Sequence, residues 1–291
     1  MWQQLLQQLM AGDSKAIARA ISLIENHSPG YEEFMKSLPA TTSPTTIIGI
    51  TGPPGAGKST LVDALINEFV QEGKRTFVLC VDPSSPFTHG AVLGDRIRMS
   101  EWHNTPGVYI RSLATRGALG GLHPDILEIT ELARVAGFEQ VIIETVGVGQ
   151  SEVEIAGLAD ITVVVLVPGS GDEIQMMKSG LLEIADIFVI NKSDRPGADQ
   201  LAHDLHLVLP MQKSIPILKT VASTREGIHE LAQIILSERQ EPDTERKTRL
   251  LADRAFHLIQ NKKMKGITRE KLYDELQNAA NVNLYKFIDK F

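Results

Sequence analysis

Residues 47–67 read IIGITGPPGAGKSTLVDALIN. An apolar run meets a glycine-rich turn, then Lys-Ser-Thr, then a helical pattern. Gly52, Pro53, Pro54, Gly55, Ala56, Gly57, Lys58 and Ser59 match G-x-x-x-x-G-K-[ST], and the strand before and helix after are the context that motif needs. The glycines let the backbone curl so that successive N–H groups point at phosphate oxygens. A helix starting at Lys58 adds the positive end of its dipole. Lys58 is placed to reach the β- and γ-phosphates, and the Ser59 hydroxyl to bind Mg²⁺. The stretch Gly52–Thr60 is therefore assigned to a nucleoside triphosphate. An accidental strand–turn–helix match is the alternative, and the flanking pattern argues against it.

The totals limit the classes open to the chain. Its 291 residues suit one large domain, or one domain with appendages. Hydrophobic residues make up 43% and charged residues 22%, as in ordinary globular proteins. A net charge of −7 argues against a general nucleic-acid binder. No apolar run approaches the roughly 18 residues of a membrane span. The opening MWQQLLQQLMAGD has neither a basic region nor a small-residue cleavage site, so no signal peptide is expected. The one cysteine, Cys80, sits in an apolar run and has no internal disulfide partner, which fits a cytoplasmic location.

Residues 2–26 carry Leu5, Leu6, Leu9, Ile17, Ala20, Ile21 and Ile24 at helical spacing, with a break at Gly12 and a cap at Asp13 or Ser14. They read as a helical pair, most simply one that covers a face of the core. Residues 39–46 are rich in Ser, Thr and Pro and read as a loop. The phosphate-loop helix runs to about Glu72, with Gly73 ending it. Strands are expected at 76–81, 108–113, 140–144, 161–167, 187–190 and 215–218, with helices at about 124–136 and 227–236. Apolar strands alternating with helices describe an α/β fold with a doubly wound, mostly parallel sheet, whose ligands bind outside the strand carboxyl ends. Residues 241–248 are charged, contain Pro242 and read as a linker. Helices are expected beyond it at 249–262, 268–279 and 283–290, with Thr268 as a cap. The chain therefore divides into an N-terminal helical extension (1–44), a nucleotide-binding domain (45–240) and a C-terminal helical appendage (241–291). The Lys262, Lys263 and Lys265 cluster reads as a solvated face.

Other strand ends carry the chemistry that the phosphate loop leaves open. Asn191-Lys192-Ser193-Asp194 matches N-K-x-D. A carboxylate at Asp194 accepts from both N1–H and the 2-amino group of guanine. Adenine lacks that donor pair and would leave a buried carboxylate unpaired. Asn191 is placed to hold neighbouring loops, and the Lys192 stem to lie over the base. A loop after the next strand, Thr220-Val221-Ala222-Ser223-Thr224, is placed to close the base pocket through the Ala222 N–H, although Val221 stands where a serine is usual. Glu144-Thr145-Val146-Gly147 resembles D-x-x-G with Glu for Asp. The acid is placed to hold Mg²⁺, and the Gly147 N–H to meet the γ-phosphate. Val148 stands where a water-orienting glutamine is found in related switches, with Gln150 the nearest glutamine, so slow intrinsic hydrolysis is expected. Asp82 and Asp95 are further Mg²⁺ candidates in loops on the same crevice. A turn-starting role before Pro83 is the alternative for Asp82. Arg96, Arg98 and Arg116 are candidates for steadying phosphate charge, with ordinary surface roles as the alternative. The eight histidines form no metal-ligand pattern, and His203 and His206 read as structural or exposed.

Taken together, GPPGAGKST (52–60), VDPSSPFTHGAVLGDRIRM (81–99), TRGALGG (115–121), ETVGVGQSE (144–152), GSGDEIQMMKSG (169–180) and NKSD (191–194) resemble the MeaB/ArgK family of P-loop GTPases. The similarity covers residues 45–240 well and the helical ends loosely. It implies a P-loop GTPase domain that binds GTP and GDP. Lys58 would serve phosphate binding and catalysis, Ser59, Asp82, Asp95 and Glu144 would serve Mg²⁺ and catalysis, and Asp194 would read guanine. Residues 169–178 would be a mobile switch. It further implies a homodimer that chaperones cofactor loading and protection of an adenosylcobalamin-dependent acyl-CoA mutase, such as methylmalonyl-CoA mutase. A label that the family has also carried, an ATP-using kinase linked to lysine, arginine and ornithine transport, is the alternative, and NKSD disfavours it. A metallochaperone reading lacks its His/Cys cluster. A structural protein with a degenerate phosphate loop is disfavoured by intact Lys58 and Ser59. The stretch between Asp194 and Thr220 is shorter than usual for the family, and the C-terminal arm diverges.

Overall fold

Ile47 to Ile50 lie in the central strand of a seven-stranded parallel sheet. A computed structural model describes residues 2–40, 44–82, 99–115, 122–147, 154–169, 180–209, 215–238, 244–264, 266–277 and 282–290. The strands are β1 (Thr46–Thr51), β2 (Thr76–Asp82), β3 (Val108–Ala114), β4 (Gln140–Glu144), β5 (Ile161–Leu166), β6 (Ile187–Asn191) and β7 (Ile217–Thr220). Their order is β3-β2-β4-β1-β5-β6-β7. The chain thus runs outward on both sides of β1, and the switch in direction opens a crevice at the strand carboxyl ends.

Every residue of β1, β2, β4, β5 and β6 is buried. Strands covered by helices on both faces need apolar side chains in both directions, which explains their continuous Val/Ile runs. Ile47, Phe77, Leu79, Val141 and Ile143 face one layer. That layer contains α1 (Trp2–Met10), α2 (Ser14–Glu25), α5 (Ile126–Val135) and α6 (Glu154–Leu158). Ile48, Ile50, Val78, Ile142, Val163 and Val165 face α4 (Lys58–Gln71) and α9 (Ile228–Glu238). A third cluster packs Phe188 and Ile190 against α7 (Leu181–Ile184) and α8 (Ala198–Val208).

The N-terminal helices are part of this core. Leu5, Leu9, Ile17, Ile21 and Ile24 are buried in the same cluster as β2 and β4. Asp13 caps α2 by accepting from the Lys15 and Ala16 N–H groups. Polar ties reinforce the seam. Arg111 of β3 meets Glu25 at 2.6 Å, and His27 meets Asp125 at 2.8 Å. A third helix, α3 (Tyr31–Ser37), occupies a stretch that the periodicity left unassigned. It is short and polar and buries only Phe34, which stacks on Trp2.

Several boundaries differ from expectation. β7 starts two residues late, because Pro216 has no N–H to give the ladder; its carbonyl still accepts from the Phe188 N–H at 2.9 Å. Of the stretch expected as a linker at 241–248, residues 244–248 are helical, since α10 (Thr244–Lys263) begins at Thr244. The chain divides into two compact units, residues 1–243 and 244–291. The second unit holds α10, α11 (Arg269–Gln277) and α12 (Leu284–Ile288). Thr268 caps α11 as expected, its hydroxyl accepting from the Lys271 N–H at 3.1 Å. Leu251, Phe256, Ile259 and Tyr285 of this unit are exposed. Among the described residues, no helix is long and apolar enough to cross a membrane.

Candidate nucleotide site

The phosphate loop lies between the end of β1 and the start of α4, as the motif requires. At its first residue, Gly52, φ is +138°, and a side-chain carbon would collide with the Val165 carbonyl of β5. Only glycine fits there. Lys58 is buried, and its Nζ donates to the Gly52 and Pro53 carbonyls at 2.8 and 3.1 Å. The ammonium is thus already held under the loop that it would serve.

Ser59 and Glu144 come together although 85 residues separate them. The Ser59 hydroxyl donates to Glu144 Oε1 at 2.7 Å. The sheet register explains this, since Ile50 of β1 pairs with Glu144 at the end of β4. β2 lies on the other side of β4, with Cys80 opposite Glu144, so buried Asp82 falls just beyond on the adjacent strand. Its carbonyl accepts from the Thr115 N–H at 3.0 Å. One hydroxyl at the start of α4 and two carboxylates at neighbouring strand ends are a hard-oxygen donor set, and that chemistry fits Mg²⁺. Asp95 lies outside the described residues, as do Arg96, Arg98, Arg116, Val148, Gln150 and residues 170–178.

Gly147 folds back over the phosphate loop with φ +82°. A side-chain carbon there would overlap Lys58 Nζ and stand 2.8 Å from the Gly52 carbonyl oxygen. The glycine therefore admits the close approach that brings the end of β4 onto the loop.

At the other end of the crevice, Asn191 is buried and makes three ties. Its Nδ2 donates to the Ala56 carbonyl at 2.9 Å. Its Oδ1 accepts from the Thr220 hydroxyl at 3.2 Å and from the Ala222 N–H at 3.1 Å. Asn191 thus fixes the phosphate loop, β7 and the loop after it in one frame, the holding role its position in the motif suggests. Lys192 has a left-handed φ of +56°, and its Nζ donates to the Gly55 carbonyl at 2.8 Å, so its stem spans from base loop to phosphate loop. The following loop is closed by a Val221–Glu226 bridge, in which the Val221 N–H donates to the Glu226 carbonyl at 3.1 Å.

Two expectations change here. Asp194 is exposed, so its selectivity argument cannot start from a buried carboxylate. The Ala222 N–H, assigned to the base from sequence, is given to Asn191; buried Val221 and exposed Ser223 flank it. Sequence reasoning also passed over Thr220, Thr51 and Thr145. Thr145 and Thr51 form a buried hydroxyl pair at 3.0 Å, and no motif marks a threonine whose partner lies on another strand. His203 and His206 are exposed, and the described residues contain no group of three metal-ligating side chains.

A parallel sheet with a lysine-bearing glycine loop at its switch point, an acid at the next strand end and an Asn-Lys-x-Asp corner defines a P-loop nucleotide hydrolase of the GTPase class. Residues 17–281 match the family model described as methylmalonyl Co-A mutase-associated GTPase MeaB, and the chain belongs to that family. It is 48% identical over 236 residues to a Pyrococcus horikoshii protein that carries a GTPase name, covering 78% of this chain and 74% of the relative. It is 38% identical over 206 residues to the GTPase ArgK of Escherichia coli, covering 69% of this chain and 62% of the relative. The crystal structure of a LAO/AO transport system kinase superposes with a TM-score of 0.67 at 26% identity, covering 95% of this chain and 85% of that one. The protein is a GTP hydrolase.

Proposed function

We propose that this protein is a Mg²⁺-dependent GTPase that serves an adenosylcobalamin-dependent acyl-CoA mutase of the methylmalonyl-CoA mutase type, coupling GTP binding and hydrolysis to cofactor loading and protection. The observation that carries the site reading is the Ser59–Glu144 contact, which joins two motifs that were independent in the sequence. Lys58 neutralises the β- and γ-phosphates, and the Gly147 N–H meets the γ-phosphate. Asp194 accepts from the guanine N1–H and 2-amino groups, the Lys192 stem lies over the base, and residues Val221 to Ser223 close the pocket. Ser59, Glu144 and Asp82, joined by Asp95, would hold Mg²⁺. Held there, a divalent cation would supply positive charge against the phosphate oxygens. The family description supports the mutase as partner.

The exposed apolar side chains of α10 and α12 support a homodimer built through the C-terminal unit. A cytoplasmic setting agrees with the single buried Cys80. The LAO/AO transport kinase match favours the second reading, an ATP-using kinase of basic amino-acid transport. The Asn191–Asp194 corner weighs against it.

A pull-down with candidate acyl-CoA mutases, run with GTP and with GDP, tests the proposal. Capture that depends on the nucleotide, together with faster hydrolysis when the mutase is added, is the expected result. Equal or absent capture in both states would remove the mutase from the reading. The isolated protein should turn over slowly, and a rate on the order of tens per second would contradict the partner-dependent switch.

A further inference from the structure

The Thr51–Thr145 hydroxyl pair lies at the root of both phosphate-facing loops. Thr51 is the last residue of β1 and directly precedes Gly52. Thr145 directly follows Glu144 and is two residues from Gly147. Both are buried, and Thr145 Oγ1 donates to Thr51 Oγ1 at 3.0 Å. The Thr145 N–H also donates to the Ile50 carbonyl at 3.0 Å, carrying the β1–β4 ladder one step past the paired residues Ile50 and Glu144. Beyond that point Val146 and Gly147 leave the sheet and pass over the phosphate loop.

The Ser59–Glu144 and Thr51–Thr145 hydrogen bonds both tie the phosphate-loop segment to the end of β4, and they differ in kind. The Ser59–Glu144 bond is made by groups that the proposed site assigns to the metal. The threonine pair lies beneath both loops and is made by groups assigned to neither metal nor phosphate. We infer that Thr51 and Thr145 are positioning residues for GTP hydrolysis: their hydroxyl pair holds the Gly147 turn in register with the phosphate loop. The inference rests on the reading in which the Gly147 N–H meets the γ-phosphate. GDP has no γ-phosphate, so the pair should affect hydrolysis and leave GDP binding almost untouched.

The test uses the full chain with a T51V/T145V double variant, T145S, and G147A as a separate arm. Removing both hydroxyls leaves no unpaired partner, and such paired replacement is close to neutral for folding. The double variant should melt near the parent and bind GDP within about twofold of it, while its single-turnover hydrolysis at saturating GTP falls about fivefold, the size of one ordinary hydrogen bond. T145S, which keeps the hydroxyl, should hydrolyse like the parent. The inference is overturned if the double variant keeps the parental rate, if GDP affinity falls in step with the rate, or if T145S is as slow as the double variant. G147A separates the two readings. If it hydrolyses GTP at the parental rate, the γ-phosphate assignment fails and the inference fails with it. If it is slow while the double variant is not, the positioning role alone fails.

Discussion

At the phosphate end of the crevice the working groups are enclosed and bonded to one another. Lys58 is buried against two carbonyls of its own loop, Ser59 is bonded to Glu144, and Gly147 packs on the Gly52 carbonyl. At the base end the frame is enclosed but the reader is not. Asn191 is buried with three bonds, whereas Asp194, three residues later, is exposed. The difference has a physical source. A triphosphate carries most of the charge in the ligand, so its site needs preorganised, desolvated partners. A base edge is read by one or two hydrogen bonds, and these need only be positioned. Affinity should therefore be concentrated at one end and identity at the other, with Asn191 joining them.

The largest expected effect comes from Lys58→Ala. Charged hydrogen bonds contribute about 1.5–3 kcal/mol each, so losing the β- and γ-phosphate contacts should weaken GTP on the order of a hundredfold or more, and losing the β-phosphate contact should weaken GDP roughly tenfold to a hundredfold, without unfolding the protein. Nucleotide titration and a melting curve measure both, and unchanged GTP affinity would refute the assignment of the phosphate end. Asp194→Asn should act on identity alone. The GTP-to-ATP affinity ratio should drop roughly tenfold to a hundredfold, while melting stays parental. A ratio that does not move would undo the reading of the base end.

Asn191→Ala attacks the joint. It strips partners from the Ala56 carbonyl, the Thr220 hydroxyl and the Ala222 N–H. Buried groups left unsatisfied cost about 1–3 kcal/mol each, so thermal stability should fall, and GTP and GDP should weaken together. A variant that melts like the parent would mean that the two ends are not coupled through Asn191.

The smallest effect is expected away from both ends. Burial pushes the Glu128 carboxyl of α5 up to about 7 from its ordinary 4.5, with Asp125 adding to the rise and a backbone hydrogen bond and His27 opposing it. Between those two values the folded chain keeps a proton that the unfolded chain has lost. Folding stability should therefore fall as pH rises through that window and level off above it. Glu128→Gln cannot ionise, so its melting temperature relative to the parent should be higher at about pH 8 than at about pH 5, by on the order of a few degrees. An equal offset at both pH values would show that the carboxyl is not held protonated, and nucleotide binding should not change.

The parts of the fold that were legible share one property: their signal is local. The strands β1, β2, β4, β5 and β6 announce themselves because a parallel sheet covered on both faces demands largely unbroken apolar runs. Helix α3 escaped because one buried phenylalanine in a short polar segment makes no periodic pattern. The displaced start of β7 follows from Pro216. At the site, Lys58, Ser59, Glu144 and Asn191 were legible as motif positions, since spacing along a loop or at a strand end fixes their chemistry. The exposure of Asp194, the capture of the Ala222 N–H by Asn191 and the threonine pair were not, because each depends on what a neighbouring strand delivers.

The sequence by itself determined that this chain builds a parallel α/β domain, that a phosphate-loop motif follows its first strand, and which side chains are candidates to meet phosphate, metal and guanine. Tertiary structure decided which of those side chains meet. Glu144 stands beside Ser59, and Asp82 one strand away, only because β1, β4 and β2 are neighbours in a stated register. Hydrogen bonds act over about 3 Å, whereas the residues that form them are separated by many tens of positions along the chain. No local pattern carries that information.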